Sequence, residues 1–159
     1  MGKSEHLIRL AQQIADQRPR FFQRKGAGKG DKDTNSFMGE LRARARQAFG
    51  RDFSEQIISG ENTKLAVDFF FPHEGTIVEI ALRLRNPQSE FERDILKAVM
   101  AKEEGRNVRR LVFLSKPGAA KRHTQPSSQT IMSWLQRNHE IEVSIRELSD
   151  RHLREGSTG

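Results

Sequence analysis

Two acids stand where apolar residues would be expected. Asp68 interrupts LAVDFFF and Glu79 interrupts TIVEIAL, inside the stretch 64–97, KLAVDFFFPHEGTIVEIALRLRNPQSEFERDILK. Both runs have the length and apolar character of strands, and Pro72-His73-Glu74-Gly75 between them reads as a tight turn. An antiparallel hairpin would therefore set the two carboxylates side by side. At ~5 Å and an effective dielectric of about 20, their repulsion is roughly 3 kcal/mol before desolvation is counted. A divalent cation between them turns that repulsion into a binding site. In the alternative reading they are sheet acids paired with neighbouring arginines, which requires two buried partners for two acids in adjacent apolar strands.

The elements that must position this pair follow from periodicity. Residues 3–17 repeat apolar positions at helical spacing, with Ser4 as N-cap, and Arg18-Pro19 ends that helix. Residues 18–35, RPRFFQRKGAGKGDKDTN, lack periodicity and read as a basic flexible loop. GKGDK within it lacks the spacing, the following Ser/Thr and the preceding strand of a P-loop. Lys25 and Lys29 there make a mobile phosphate-contacting arm, and Phe21-Phe22 either stack on bases or fold onto the core. Helical spacing resumes through Phe37, Met38, Leu41, Ala45 and Phe49, with Gly50 as the stop. Residues 52–58 form a short apolar-rich segment, and the two acid-bearing strands span 65–71 and 76–84, continuously apolar as in a sheet covered on both faces.

Asn86-Pro87 breaks the second strand, and Ser89 with Glu92 forms a capping box for a helix to about residue 104, whose buried stripe is Phe91, Ile95, Leu96, Val99 and Met100. A strand at 108–115, a loop, a helix at 127–138 with Trp134 in the core, and a strand at 141–145 complete the chain. The fold class is α/β, a mixed central β-sheet flanked by helices on both faces, with at least one parallel pair joined by a right-handed crossover. We divide the single domain, 1–159, into an N-terminal helix (1–17), the basic loop (18–35), a core (36–148) and a frayed tail (149–159).

Composition narrows the function. The chain has no cysteine, which excludes disulfides and zinc–thiolate chemistry. No apolar run approaches the ~20 residues that span a bilayer, and MGKSEHLIRL lacks a signal-peptide core. These features predict a cytoplasmic or nucleoid-associated protein without a membrane partner. The net charge of +7 predicts a polyanionic partner, most often nucleic acid, because neutralised phosphates release counterions. Lys121 and Arg122, beside His123 in the loop after the 108–115 strand, are candidate phosphate contacts; His73 reads as a surface turn residue.

Asp68, ten intervening residues, then Glu79-Ile80-Ala81 on the next strand, followed by a helix and a strand, resembles the PD-(D/E)XK nuclease superfamily over residues 35–145. The resemblance implies a restriction-endonuclease-like αβββαβ core and a Mg²⁺-dependent endonuclease that hydrolyses DNA phosphodiester bonds, with Mn²⁺ as substitute and a homodimer as one assembly. It gives metal binding to Asp68 and Glu79, with Glu40 of the earlier helix as a further ligand or else a solvated helix acid. The superfamily's lysine, two residues beyond the second acid, is replaced here by Ala81, and Val67 replaces the proline before the first acid. Alternation puts Ala81, Arg83 and Arg85 on the face of Glu79. Arg83 and Arg85 are phosphate clamps there, since guanidinium is too weak an acid to act as a base. Lys97 of the following helix, sharing a face with Glu90 and Asp94, is the candidate for the displaced lysine, or else a solvated helix residue. Ala81 keeps open a second function: a catalytically deficient nuclease-fold protein that binds nucleic acid or a protein partner without cutting.

Overall fold

The computed structural model describes residues 2–23, 29–60, 65–82 and 87–151. Its elements are α1 (Lys3–Asp16), α2 (Lys29–Phe49), β1 (Ser54–Ser59), β2 (Leu65–Phe71), β3 (Thr76–Ala81), α3 (Pro87–Glu103), β4 (Arg110–Ser115), a 3-10 helix (Ala119–Thr124), α4 (Pro126–His139) and β5 (Glu142–Glu147). The five strands form one sheet in the order β1-β2-β3-β4-β5. β1, β2 and β3 are an antiparallel meander, whereas β4 runs parallel to β3 and β5 parallel to β4. The expected mixed sheet is therefore present.

The double apolar character of the central strands has its cause in two cores. Phe69, Phe71, Val78, Val112 and Leu114 pack with α1 and α2 through Leu7, Ile14, Phe37 and Leu41. On the other face, Phe70, Ile77, Leu111 and Phe113 pack with α3 and α4 through Phe91, Ile95, Ala98 and Leu135. Helices thus cover both faces, and α3 lies on the face of Ile77 and, by alternation, of Glu79 and Ala81.

The turn between β2 and β3 sets how the two acids approach. Gly75 has φ +67°, and a Cβ there would lie 3.1 Å from Arg109 Cγ and 3.2 Å from the Asn107 carbonyl. Its own carbonyl accepts from Arg109 N–H at 2.7 Å and Arg110 N–H at 3.0 Å, docking the start of β4. Left-handed backbone costs an L-residue roughly 1–2 kcal/mol. Gly75→Ala is expected to destabilise the fold by at least about that amount, measured as a lower urea midpoint at unchanged slope; an unchanged midpoint would mean the turn readjusts freely.

Several boundaries differ from the expectations. α2 begins at Lys29, inside the expected 18–35 loop, because extending a formed helix adds a hydrogen bond per residue without a new nucleation cost. Lys25, Arg83 and Arg85 fall outside the described residues, and of Lys29 only its backbone place at the head of α2 is described. Gly2, not Ser4, caps α1; the Ser4 hydroxyl donates to Glu74 Oε2 at 2.6 Å instead. α3 starts at Pro87, ahead of Ser89, since proline's missing N–H has no helical partner at a first turn anyway.

Phe21 stacks on Phe37 at 5.0 Å and is buried, which takes it out of contention for base stacking. Trp134, expected in the core, is 42% exposed: α4 buries the stripe of Ser128 and Leu135, and position 134 falls beside it. Leu96 and Met100 are exposed as well, because α3 is rotated to bury Phe91, Ile95, Lys97, Ala98 and Ala101. The tail's first residue is pinned, Ser149 exchanging two hydrogen bonds with the Gln12 amide.

Candidate active site

The sheet opens where the acids stand. The β2–β3 ladder pairs Phe71 with Thr76, Phe70 with Ile77 and Phe69 with Val78, and stops. One further step in that register would set Asp68 opposite Glu79. Each strand continues with its outer neighbour instead: β2 through Val67 and Ala66 against β1, and β3 through Glu79, Ile80 and Ala81 against β4. The Asp68 side chain enters the opening, its Oδ2 accepting from the Ile80 N–H at 2.7 Å. A carboxylate thus takes a backbone donor that the interrupted ladder leaves over.

Glu79 is only 6% exposed. Alternation turns it towards α3, where Lys97 descends with 8% exposure. The Lys97 ammonium is 2.9 Å from Asp94 Oδ1 and 3.3 Å from Glu79 Oε1, and donates to the Ala66 carbonyl at 3.0 Å. Those three acceptors use all three of its protons. Asp94, one turn before Lys97, is the member of the cluster that spacing alone left without a role. Its i, i+3 relation to Lys97 and shared face with Glu90 were the available signal.

The electrostatics are those of an underneutralised site. Asp68, Glu79 and Asp94 are three largely buried carboxyl groups around one ammonium. Burial raises Asp68 above the usual carboxylate range, against the pull of the Ile80 N–H and of Lys97. Burial also drives Glu79 up to about 9, helped by the charges of Asp68 and Asp94. Asp94 is raised by burial too, with Lys97 opposing. Burial would lower Lys97, but Glu79 and Asp94 outweigh it and raise it, so the ammonium is charged at neutral pH. Two adjacent buried acids cannot both ionise freely.

This arrangement ties stability to pH. The folded chain keeps the Glu79 proton up to about 9, whereas an ordinary glutamate releases it near 4.5. The resulting stabilisation is whole below about 4.5 and lost as pH rises through about 9. We expect metal-free wild type to lose a few kcal/mol more than Glu79→Gln between mildly acidic and mildly alkaline pH, measured by urea unfolding. Parallel pH profiles for the two proteins would contradict the raised Glu79.

The remaining candidates lie elsewhere. Glu40 accepts from Arg18 at Oε2 and from Arg44 at Oε1, each at 2.5 Å, tying the end of α1 to α2; it is not among the carboxylates that meet Lys97. Hydrogen bonding from Arg18, with Arg44 in support, holds its carboxyl below the usual range. Lys121 and Arg122 are exposed on the 3-10 helix. Among the described residues, no group of three or more His, Cys, Asp or Glu side chains converges so that it could hold a metal ion. A pair suffices for Mg²⁺, which is held by one or two carboxylates together with water and substrate phosphates. All-oxygen donors, with more carboxyl groups than the one ammonium can balance, suit that ion or Mn²⁺. No helix of the described residues is long and apolar enough to cross a membrane. Comparison of the chain with protein-family models, with curated proteins and with solved structures returns no match.

Proposed function

We propose that this protein is a metal-dependent nuclease that hydrolyses phosphodiester bonds in DNA, with Asp68 and Glu79 as the metal-holding carboxylates and Lys97 as the displaced lysine. The observation that carries the reading is the opened sheet: two acids at the parting of β2 and β3, with a lysine from α3 reaching the buried second one. The meander, the α3 crossover and the parallel β4 agree with the αβββαβ order that the resemblance to the PD-(D/E)XK superfamily implies. A net charge of +7 suits a polyanionic substrate.

Mg²⁺ or Mn²⁺ bound by Asp68 and Glu79 would polarise the phosphoryl group and lower the pKa of a coordinated water. The chain's own groups have distinct tasks. Asp68 is fixed through Oδ2 by the Ile80 N–H, so its orientation is set before substrate arrives. Glu79 must give up its proton to serve as a ligand, which ties activity to rising pH. Lys97 stays protonated and therefore acts as a donor, orienting the nucleophilic water and countering charge on the phosphate. Its longest contact, 3.3 Å to Glu79, is the one to be exchanged for substrate. Glu40 is left out of the ligand set because both its oxygens are committed to arginines.

A plasmid-nicking assay with Mg²⁺ or Mn²⁺ tests this reading: nicking that requires metal and rises with pH towards about 9 is expected. One observation favours a second reading. Ala81 leaves the superfamily's lysine position empty, and a nuclease-fold protein that binds nucleic acid without cutting would share every other feature. Salt-sensitive DNA binding, unaffected by Asp68→Ala and without cleavage, would establish that reading instead.

A further inference from the structure

Beyond the acid cluster, the same sheet face holds a second polar cleft. Ala81 pairs in register with Ser115, as Glu79 does with Phe113, so Ala81 and Ser115 form the next step along the parallel strands towards their C-terminal ends. That step is roughly 7 Å beyond Glu79, at about 3.3 Å per residue. Ala81 and Ser115 line a cleft with Phe91 of α3 and with Lys116, Arg122 and His123. Its enclosed space is about 40 Å³. A water needs on the order of 10–15 Å³ by this measure, so the cleft accepts a few waters or the oxygens of one phosphate, and no nucleobase.

Two features point to an anion. Among the described residues no carboxylate forms an ion pair with Lys116 or Arg122. The His123 ring packs on Phe91 at 4.7 Å and on Phe113 at 6.3 Å, and its Nδ1 is buried without a hydrogen-bond partner. A buried ring nitrogen without a partner is unfavourable, and as an N–H it is satisfied by an acceptor such as a phosphate oxygen. Burial and the Arg122 charge keep the imidazole neutral, leaving one N–H to donate. Ala81 lines this space, and a bulkier apolar side chain there would narrow it.

We propose that this cleft holds a phosphate of the nucleic-acid strand neighbouring the scissile one, with Lys116 and Arg122 supplying charge and His123 a hydrogen bond, so that it sets the register of the strand across Asp68 and Glu79. The proposal rests on the nuclease reading for its substrate, but its binding test does not need cleavage. Anisotropy of a fluorescein-labelled single-stranded oligodeoxynucleotide, titrated with the full chain in chelator over a range of salt, reads it directly. Lys116→Ala/Arg122→Ala should bind at least about tenfold more weakly, with a salt slope smaller by about 0.7, the value for one single-strand phosphate contact. Ala81→Leu fills the cleft without changing charge, and His123→Phe keeps the ring packing while deleting the nitrogens; both should weaken binding several-fold. Arg93→Ala, an exposed charge on α3, serves as the control and should change binding least. Wild-type binding by Ala81→Leu and His123→Phe would overturn the cleft, even if the double charge variant is weakened. Mn²⁺ titration of the same proteins separates the two ideas: metal binding with normal DNA binding in the cleft variants sinks the cleft alone. The expected cleft pattern in a wild type that binds no metal sinks the nuclease reading alone.

Discussion

Asp68→Asn is expected to reduce metal-dependent cleavage by at least about 10³-fold while leaving the fold intact. The asparagine carbonyl can still accept from the Ile80 N–H that Asp68 Oδ2 now takes at 2.7 Å, so the opened strands stay as they are. What disappears is a negative charge that burial already disfavours. The metal-free variant should therefore match or exceed the wild type in thermal midpoint at mildly alkaline pH, where the acid cluster is most costly. Loss of activity with equal or greater stability is the signature of a functional site held against the fold's own preference. A structural acid gives the opposite pattern: breaking a buried pair by removing one partner destabilises by about 3–5 kcal/mol. Measuring activity and midpoint on the same preparation therefore decides between the metal-site reading and the sheet-acid reading.

The second large effect belongs to Lys97. Replacing it with methionine keeps most of the buried aliphatic volume and removes the ammonium from between Glu79 and Asp94. Cleavage is expected to fall about 10²–10³-fold, the range for losing one donor aimed at developing charge. Mn²⁺ affinity should hold or rise, because a competing cation leaves the carboxylates. The informative variant is Lys97→Met/Ala81→Lys. Position 81 is two residues beyond Glu79 on the same strand face, so a lysine there approaches the cluster from the β3 side. Partial recovery of cleavage would establish that one ammonium is required and that either element can supply it. Wild-type activity in Lys97→Met alone would make Lys97 a purely structural counter-charge.

How far these residues were legible in the sequence differs by element. Asp68 and Glu79 stood out because charge in an apolar strand has few cheap explanations, and the hairpin turn fixed their approach. The element order was equally readable, since each strand or helix carried its own period and its own stop. The rotation of α3 was not. Leu96, Met100 and Lys97 compete for neighbouring positions around the helix, and hydrophobicity assigns the stripe to the leucine and methionine. In the structure Lys97 faces inward, because the sheet beneath it presents Glu79 and the Ala66 carbonyl to bond. Only the partner strand contains that information. The same limit hid Asp94, whose significance comes from Lys97, and exposed Trp134, whose size suggested burial. His123 was visible only as a histidine in a basic loop; its packing between Phe91 and Phe113 depends on where the 3-10 helix folds back.

Calorimetric titration of Mn²⁺ into the wild type and into Asp68→Ala/Glu79→Ala, with plasmid nicking measured alongside, tests the central claim most directly. The carboxylate pair predicts Mn²⁺ binding and nicking by the wild type, proton release on binding as Glu79 gives up its proton, and loss of all three in the variant. A wild type that binds no Mn²⁺ and leaves the plasmid intact, or a variant that binds metal undiminished, would contradict it.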